Sequence, residues 1–382
     1  MRIRTITTGV DFGRSIDYKM LELTNDFNHE ASKIFTEQGY DVETVRISTN
    51  PFEEYVPDPT TDDFMYFFEK LSQFCDENRV QFLSIGEISK PAYAEKIADV
   101  LKINEAFSAS CKIGDAKTGF MRENIKLAAK TIKRLSEETP EGLGNFQFCA
   151  SANCKPGIPF FPAGYHRGES SFAIGFECSD HVFQAFEEAH DFWKAEDVLR
   201  KKLNALFMPI EKIAIEISEN TGVKYAGIDT SPAPGIEASE ALPFAYEKLG
   251  LGKFGGHGTL AISSIITKVI KNLDVKTCGY SGLMLPVLED FGLAERANEK
   301  TYNLQNLLLY SAVCGCGYDT VPIPGNTPAH KIENMLLDVA TLANRLDKQL
   351  AARIFPAPGK KAGEMTSFDS PYLVNCRIFD VQ

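Results

Sequence analysis

The sequence lacks the features that mark membrane, secreted and nucleic-acid-binding proteins. No apolar run approaches the roughly 20 residues that span a bilayer, and the first residues, MRIRTITTGVDF, lack the apolar stretch of a secretory signal. Basic residues are outnumbered, 40 Lys and Arg against 52 Asp and Glu, for a net charge of −12. Because phosphates are bound by clustered Lys and Arg, we expect neither nucleic acid nor a membrane as a partner.

A disulfide framework is also missing from the sequence. The 9 cysteines are odd in number and scattered along the chain, which is untypical of small disulfide-stabilised proteins. We therefore expect a reducing, cytoplasmic location. Hydrophobic residues make up 44% of the chain and charged residues 24%, so the composition is that of a globular protein with a substantial core.

Strand-like and helix-like hydrophobic patterns alternate along the whole chain. Residues 2–8, 42–49 and 171–177, among others, alternate in the manner of strands, and amphipathic helical patterns lie between such segments. Regular alternation predicts an α/β fold with a largely parallel sheet. No low-complexity linker interrupts the pattern, so residues 1–382 are expected to form one domain, a large barrel or sheet.

Three local predictions concern the second half of the chain. A helical pattern over residues 182–220 is expected to break near Pro209. The apolar run at 307–313 reads as extended and returns through 320–323, which predicts a hairpin. The helix that follows this hairpin is expected to continue as far as Leu350.

The predicted hairpin carries the motif Cys314-Gly-Cys316-Gly-Tyr-Asp319. Glycine beside cysteine allows the backbone to bend and a ligand to approach, and an accessible thiol is a candidate nucleophile. A carboxylate disfavours the thiolate, so Asp319 is expected to orient a backbone or substrate group. The alternative is a structural pair of buried cysteines, since free cysteine is among the most buried residue types.

The segment PFFPAGYHRGE places three functional side chains on one loop bounded by glycine and proline, namely His166, Arg167 and Glu169. A histidine there can transfer protons, and an arginine can bind a carboxylate in a bidentate manner. The alternative is a surface turn with a solvated basic pair.

Polar residues also collect near the ends of predicted strands. Asp229 and Ser231 end one strand, and Ser281 lies in a Gly-Tyr-Ser-Gly turn, positions where α/β folds gather site residues. The acidic pair Glu289-Asp290 is a candidate for binding a cation or for acid and base catalysis. The alternative for the pair is a set of charges at a helix N-terminus.

The string Gly250-Leu-Gly252-Lys-Phe-Gly255 matches a dinucleotide-binding fingerprint only superficially. That fingerprint requires a strand before it, whereas the preceding residues 237–248 look helical, so an NAD site is not expected. The segment reads instead as a loop between helices, and its end, with His257, is a candidate to hold an anion at the next helix.

A metal site remains an alternative. Four cysteines at C-x4-C and C-x-C spacings do not match the usual C-x2-C zinc pattern; they are Cys149, Cys154, Cys314 and Cys316.

Five stretches between residues 4 and 328 together resemble domain-of-unknown-function family seven-eleven: RTITTGVDF, PFFPAGYHRGE, AGIDTSPAPG, GYSGLMLPVLEDFGL and CGCGYDTVPIPGNTP. The resemblance implies a pyruvate formate-lyase-like fold, a closed ten-stranded α/β barrel with a finger loop inside it. The hairpin at about 307–323 is then the expected finger, with Cys314 and Cys316 near its tip. By matching position, the polar residues implied to line a site are His166, Asp229, Ser231, Ser281, Glu289, Asp290, Cys314 and Asp319.

Two departures from related enzymes limit what the resemblance implies. The glycyl-radical enzymes store a radical on a glycine near the C-terminus, but the corresponding end here reads VNCRIFDV without glycine. A stored radical is therefore not expected. Bacterial members are expected to carry one cysteine where this chain has two, Cys314 and Cys316. Since the family's own activity is not established, the resemblance implies a fold and not a reaction.

We therefore expect a cytoplasmic enzyme that uses thiol chemistry at Cys314 on a small carboxylate-bearing metabolite. His166 would transfer protons, Arg167 would clamp the substrate, and Asp319 and Asp229 would orient groups. One alternative is a non-catalytic metabolite-binding or regulatory protein on the same scaffold, and another is a metal-dependent enzyme. No cofactor is identified, and a homodimer is compatible with a barrel of this size.

Overall fold

The computed structural model describes residues 2–313 and 316–381 and shows an α/β protein built on one large sheet. The strands are β1 (Arg2–Val10), β2 (Asp41–Val42), β3 (Val45–Thr49), β4 (Leu83–Ile88), β5 (Phe107–Asp115), β6 (Gly119–Phe120), β7 (Phe148–Ala152), β8 (Ser171–Glu177), β9 (Lys224–Ala233), β10 (Gly317–Pro324) and β11 (Leu350–Ala357). The α-helices are α1 (Tyr18–Glu37), α2 (Asp63–Glu77), α3 (Pro91–Ala94), α4 (Ile97–Leu101), α5 (Arg122–Glu138), α6 (Ser179–Ala189), α7 (Phe192–Thr221), α8 (Leu242–Glu247), α9 (Thr259–Ile270), α10 (Phe291–Asn298), α11 (Leu304–Ser311) and α12 (Ala329–Leu346). Short 3-10 helices cover Phe52–Glu54, Pro140–Gln147 and Ala238–Glu240.

The sheet contains two groups of parallel strands that run in opposite directions. Its order is β10-β11-β7-β5-β4-β3-β1-β8-β9, with β2 paired to β1 and β6 paired to β5. The strands β1, β3, β4, β5 and β7 are mutually parallel. The pair β8-β9 is antiparallel to β1, and the pair β10-β11 is antiparallel to β7. The predicted α/β class is therefore confirmed.

The segment 276–287 forms hydrogen bonds with both edge strands of this order. Near its start, the amide of Ile228 in β9 donates to the carbonyl of Lys276 at 2.8 Å. Near its end, the amide of Val287 donates to the carbonyl of Asp319 in β10 at 3.0 Å. One irregular segment thus links the two edges.

Residues 153–170, which connect β7 to β8, lie against the inner face of the sheet, and we call them the inner loop. Thr7 in β1 donates a hydrogen bond from its hydroxyl to the carbonyl of Pro159 at 2.8 Å. The next residue, Thr8, bonds to Asn28 of α1 at 2.6 Å instead. Since neighbouring residues of a strand point to opposite faces, the inner loop and α1 lie on opposite sides of the sheet.

Glycines in β1 and β8 allow the inner loop to approach the strands closely. A Cβ atom on Gly9 would lie 2.0 Å from Nδ1 of His166, and one on Gly175 would lie 2.7 Å from the ring of Phe160. Both distances are shorter than any real contact, so only glycine fits at these positions while the loop is in place.

The predicted hairpin at 307–323 is wrong in its first arm. That arm belongs to the helix α11, which starts with a capping box between Asn303 and Asn306 and packs against α9 and α12. A short apolar run does not distinguish strand from helix, and the capping residues decide here for the helix. Cys314, expected at the tip, lies outside the described residues. The segment against the inner face is the inner loop.

The predicted continuation of the last helix to Leu350 is also wrong. The helix α12 ends at Leu346, because Asp347 adopts a left-handed conformation with φ of +48°. The chain then enters β11, which pairs in parallel with β10. This correction places Arg353 in the sheet.

The helical break predicted near Pro209 lies elsewhere. Helix α6 ends at Ala189, the following residue His190 has φ of +51°, and the side chain of Asp191 caps the start of α7. Helix α7 then runs through Pro209. Pro209 and Ala205, whose carbonyl loses its helical partner, are exposed, so water can satisfy that carbonyl.

The hydrophobic core is distributed between the sheet and the helices that pack on it. Helix α2 buries Phe64, Phe68 and Leu71, as its apolar stripe predicts. Over the described ranges, no helix combines the length and the apolar character needed to cross a membrane.

Candidate functional site

A cavity of about 690 Å³ opens at one end of the sheet, and we call it the main cavity. Arg46, Ser108 and Cys149, the second residues of β3, β5 and β7, line it together with Ala233, the last residue of β9. Because the two strand groups run in opposite directions, strands of one group begin where those of the other end. The main cavity therefore collects side chains from both groups.

Arg353 in β11 binds two carboxylates in the main cavity. Its Nε atom lies 2.5 Å from Asp319, and its Nη2 atom lies 2.5 Å from Glu289. Burial, with the nearby carboxylate of Glu289, raises the pKa of Asp319 against the attraction of Arg353. Arg353 is thus shared between two carboxylates at this wall.

Sequence reasoning expected Asp319 and Glu289 at a site but missed Arg353. Arg353 is missed because the predicted helix runs to Leu350 and no strand is predicted for the segment LAARIFPA. The available signal was an arginine inside an otherwise apolar run that ends in proline.

Arg46 differs from the other arginines of the main cavity because it forms no ion pair with a described carboxylate; Glu43 and Glu289 act on it only from a longer distance. Arg4 forms ion pairs with Glu43 and Glu177, but no carboxylate among the described residues lies within 4 Å of Arg46. The Nε atom of Arg46 donates to the hydroxyl of Thr44 at 3.1 Å, and its two Nη atoms have no protein partner within the described ranges.

The guanidinium of Arg46 lies between two aromatic rings. Its central carbon is 5.3 Å from the ring centre of Phe82 and 5.5 Å from that of Phe161 in the inner loop. Burial, reinforced by the like charge of Arg4, lowers the pKa of Arg46 to about 9. A guanidinium held this way is a ready receptor for an anion in the cavity.

Two thiols face the main cavity, those of Cys149 and Cys316. Cys154 and Tyr280 belong to the same buried cluster, with Sγ of Cys154 3.6 Å from the hydroxyl oxygen of Tyr280. Burial raises the pKa of Cys149 well above its usual value and also raises that of Cys154. These two thiols are therefore neutral at pH 7.

The three functional side chains predicted on the PFFPAGYHRGE motif do not line the main cavity, although Phe161 of the same motif does. A second cavity, of about 750 Å³, is lined by Ser171 and Lys224, the first residues of β8 and β9, and so lies at the opposite end of the sheet. Four of the predicted site residues line this second cavity, namely His166, Arg167, Glu169 and Ser281.

In the second cavity, the side chains of His166 and Arg167 both contact other protein groups. Nε2 of His166 lies 2.9 Å from the carbonyl of Glu169, and burial lowers the pKa of His166. Arg167 is paired with Glu54, 2.5 Å away. The structure therefore separates His166 and Arg167 from Cys316 and Asp319.

Asp229 fixes the segment 276–287 to β9. Its carboxylate accepts hydrogen bonds from the amides of Tyr280 at 2.8 Å and Ser281 at 2.9 Å, and from the amide and hydroxyl of Ser231. Burial raises its pKa to about 6. Asp229 and Ser231 line neither cavity, so they position the backbone of the segment.

The two residues of the acidic pair Glu289-Asp290 have different partners. Glu289 faces Arg353, whereas Asp290 caps α10, accepting from the amides of Leu293 at 2.9 Å and Leu242 at 3.0 Å. In the part of the chain that the structure describes, no group of three or more His, Cys, Asp or Glu side chains is arranged to hold a metal ion.

The glycine-rich string and His257 lie on the loop between α8 and α9, so a helix precedes the string, as its sequence context predicts. His257 is exposed and lines neither cavity.

Comparison with known proteins gives one consistent result. A family model described as "Uncharacterised ACR (DUF711)" matches residues 1–369. A UPF0210 protein of Neisseria gonorrhoeae is 26% identical over 394 aligned positions, which cover 96% of this chain and 87% of the relative. A UPF0210 protein of Clostridium botulinum is 27% identical over 400 positions, covering 96% of this chain and 88% of the relative.

Proposed function

We propose that this chain, which belongs to the DUF711 family of uncharacterised proteins, is an enzyme that acts on a small carboxylate-bearing metabolite by thiol chemistry in the main cavity. The observation that carries this function is that Arg46, which forms no ion pair with a described carboxylate, lines the same cavity as the thiols of Cys149 and Cys316.

The site then lies inside a closed, ten-stranded barrel. The nine strands of the main sheet order and the segment 276–287 make ten, five running in each direction. The hydrogen bonds of this segment to β9 and to β10 support closure, since they leave neither edge strand without a neighbour. The inner loop takes the place expected for a finger.

A carboxylate is the anion that best suits Arg46. The two unpartnered Nη atoms match the two oxygens of a carboxylate, and the rings of Phe82 and Phe161 hold the guanidinium plane in position. The hydroxyl of Ser108, which has no hydrogen-bond partner among the described residues, lines the same cavity. A volume of about 690 Å³ admits a small metabolite.

A neutral thiol in this cavity can add to a carbonyl group of the bound metabolite. The sulfur forms a bond to the carbonyl carbon, the π electron pair moves to oxygen, and the thiol proton passes to that oxygen. Asp319 lines the same cavity as Cys149, and its carboxylate would carry the proton between the two atoms. The addition needs no further reactant.

The raised pKa of the buried thiols favours a second candidate function. A thiol that stays protonated is a weak nucleophile, and Cys149 is buried with its pKa raised. A non-catalytic metabolite-binding protein would use the same cavity and Arg46, and would leave its ligand unchanged.

The first experiment tests anion binding at Arg46. Thermal-shift measurements with small mono- and dicarboxylic acids are expected to find acids that stabilise the wild-type protein. Arg46→Met should abolish that stabilisation, whereas Arg122→Met, which changes an exposed arginine at the start of α5, should preserve it. Equal shifts in the Arg46→Met variant would show that the carboxylate is bound elsewhere.

The second experiment separates catalysis from binding. Mass analysis of each stabilising acid after incubation with the wild-type protein should reveal a product. Substitutions Cys149→Ser, Cys314→Ser and Cys316→Ser identify the reacting thiol by loss of product, with Cys75→Ser in α2 as the control. Product formation in all four variants contradicts thiol chemistry, and stabilisation without any product establishes the non-catalytic alternative.

A further inference from the structure

We infer that the second cavity is a separate binding site for a small phosphate-bearing molecule. The surrounding charge is the first observation. Five cationic side chains line this cavity against a single carboxylate among the described residues, Glu169; they are Lys155, Arg167, Lys224, Lys271 and Lys276. The whole chain carries a net charge of −12, so this concentration of positive charge opposes the character of the molecule.

Three of these cations remain uncompensated by protein carboxylates. Arg167 is paired with Glu54 at 2.5 Å, and Lys224 lies 3.7 Å from Glu169. Lys155 and Lys271 form no ion pair with any described carboxylate.

The third uncompensated cation is held in a fixed place. Nζ of Lys276 donates to the carbonyl of Tyr225 at 2.6 Å and lies 5.5 Å from the centre of the Tyr225 ring. These neutral partners orient the ammonium group without cancelling its charge.

The shape of the cavity strengthens the effect of these charges. The inner loop forms one wall and the segment 276–287 another, and the space between them is about 750 Å³. A cleft lined by charges of one sign focuses the electrostatic potential and raises the local concentration of oppositely charged ligands.

Phosphate suits this cavity better than carboxylate. Lysine presents a compact point charge without the planar fork that arginine offers to a carboxylate. The uncompensated charges, from Lys155, Lys271 and Lys276, match the two or three negative charges of a phosphate ester or diphosphate. The two cavities therefore bind anions of different chemistry.

Calorimetric titration with pyrophosphate and with ADP, at low ionic strength, tests the inference. Both probes are expected to bind the wild-type protein, and the double variant Lys155→Gln/Lys271→Gln should bind at least about ten-fold more weakly. The matched double variant Lys194→Gln/Lys201→Gln, on exposed positions of α7, should bind as the wild type does. Tighter binding of ADP than of pyrophosphate identifies a nucleotide, and equal binding identifies the diphosphate group alone as the recognised chemistry.

Two further measurements make the outcome decisive. Arg46→Met should leave pyrophosphate binding unchanged, and loss of binding in this variant would place the anion in the main cavity and overturn the inference. In the Arg46→Met variant, which lacks the proposed carboxylate site of the main cavity, citrate, a polyanion without phosphate, should bind more weakly than pyrophosphate. Equal affinity in this variant would overturn the phosphate assignment. The inference is likewise overturned if the wild-type protein binds neither probe, or if the Lys155→Gln/Lys271→Gln variant binds both normally.

Discussion

At the scale of single residues, buried charges divide into those that the protein neutralises and those that it leaves for a ligand. Arg4 and Arg353 each meet two carboxylates, whereas Arg46 meets a hydroxyl and two aromatic rings. A buried charge without a counterion costs free energy in the ligand-free protein. Such a cost is expected where a site is built for an anion, because the ligand supplies the missing charge.

Glu87 in β4 is a second buried charge, and its effect can be measured through pH. Its carboxylate accepts one hydrogen bond from a side chain, that of Ser151 at 2.7 Å, and burial raises its pKa to about 7. The folded protein thus binds this proton more tightly than the unfolded chain does, whose pKa is near 4.5. The stability that this group contributes is full below the unfolded value and is lost as the pH rises through 7.

Glu87→Gln should remove this pH dependence while preserving size and a hydrogen-bond acceptor. At pH 8 the variant is expected to exceed the wild type in free energy of unfolding by about 1–3 kcal/mol, and at pH 5 the difference should shrink. Urea denaturation at both pH values measures it. A constant difference between the two proteins across this range would contradict the raised pKa.

At the scale of elements, the inner loop is the feature that shapes both cavities. Phe161 contributes to the wall of the main cavity, and His166 contributes to the second. The loop can lie this close to β1 and β8 because Gly9 and Gly175 present no side chain. Its position therefore depends on residues far from it in the sequence.

Gly9→Ala should destabilise the protein by about 1–3 kcal/mol, because the added methyl group would overlap the ring of His166. Gly9 has an ordinary backbone conformation, so the clash is the main cost. In a His166→Ala background, the same substitution should cost much less, which thermal or urea unfolding of the four proteins would reveal. Gly256→Ala, on an exposed loop, serves as control; equal costs in both backgrounds would rule out the close approach.

Sequence patterns predicted elements well where local signals agree. The strand expected at 171–177 is β8, and the strand expected at 2–8 is β1, which continues to Val10. The sequence patterns gave wrong predictions at α11 and β11, because short apolar segments show neither a helical nor a strand periodicity. There, a capping box at Asn303 and a left-handed Asp347 decided the outcome.

At the scale of the whole molecule, the link between the two edge strands of the sheet depends on a few hydrogen bonds of the segment 276–287. The carboxylate of Asp229 accepts hydrogen bonds from the amides of Tyr280 and Ser281 and thereby holds the segment 276–287 against β9. The same segment supplies Tyr280 to both cavities. Loosening it would disturb both sites at once.

Asp229→Asn should therefore cost about 2–4 kcal/mol of folding free energy, because an amide offers one acceptor oxygen and turns an NH2 group toward donors. Hydrogen exchange should show faster exchange of the Tyr280 and Ser281 amides, with those of β3 protected as before. Ser231→Ala, which removes a hydroxyl that donates to Asp229 and accepts from the amide of Gly282, should cost less, about 1–2 kcal/mol. A variant as stable as the wild type would show that other contacts hold the segment.

The sequence by itself determined the α/β class, the family and most of the candidate polar residues, because these follow from local periodicity and from motifs that are contiguous in the chain. Only the tertiary structure decided which of those residues meet. It placed His166 and Arg167 in the second cavity, and Cys316 and Asp319 in the main cavity. It also revealed Arg46 and Arg353, since whether a buried arginine is neutralised depends on carboxylates brought near it by folding, and no spacing in the sequence records that distance.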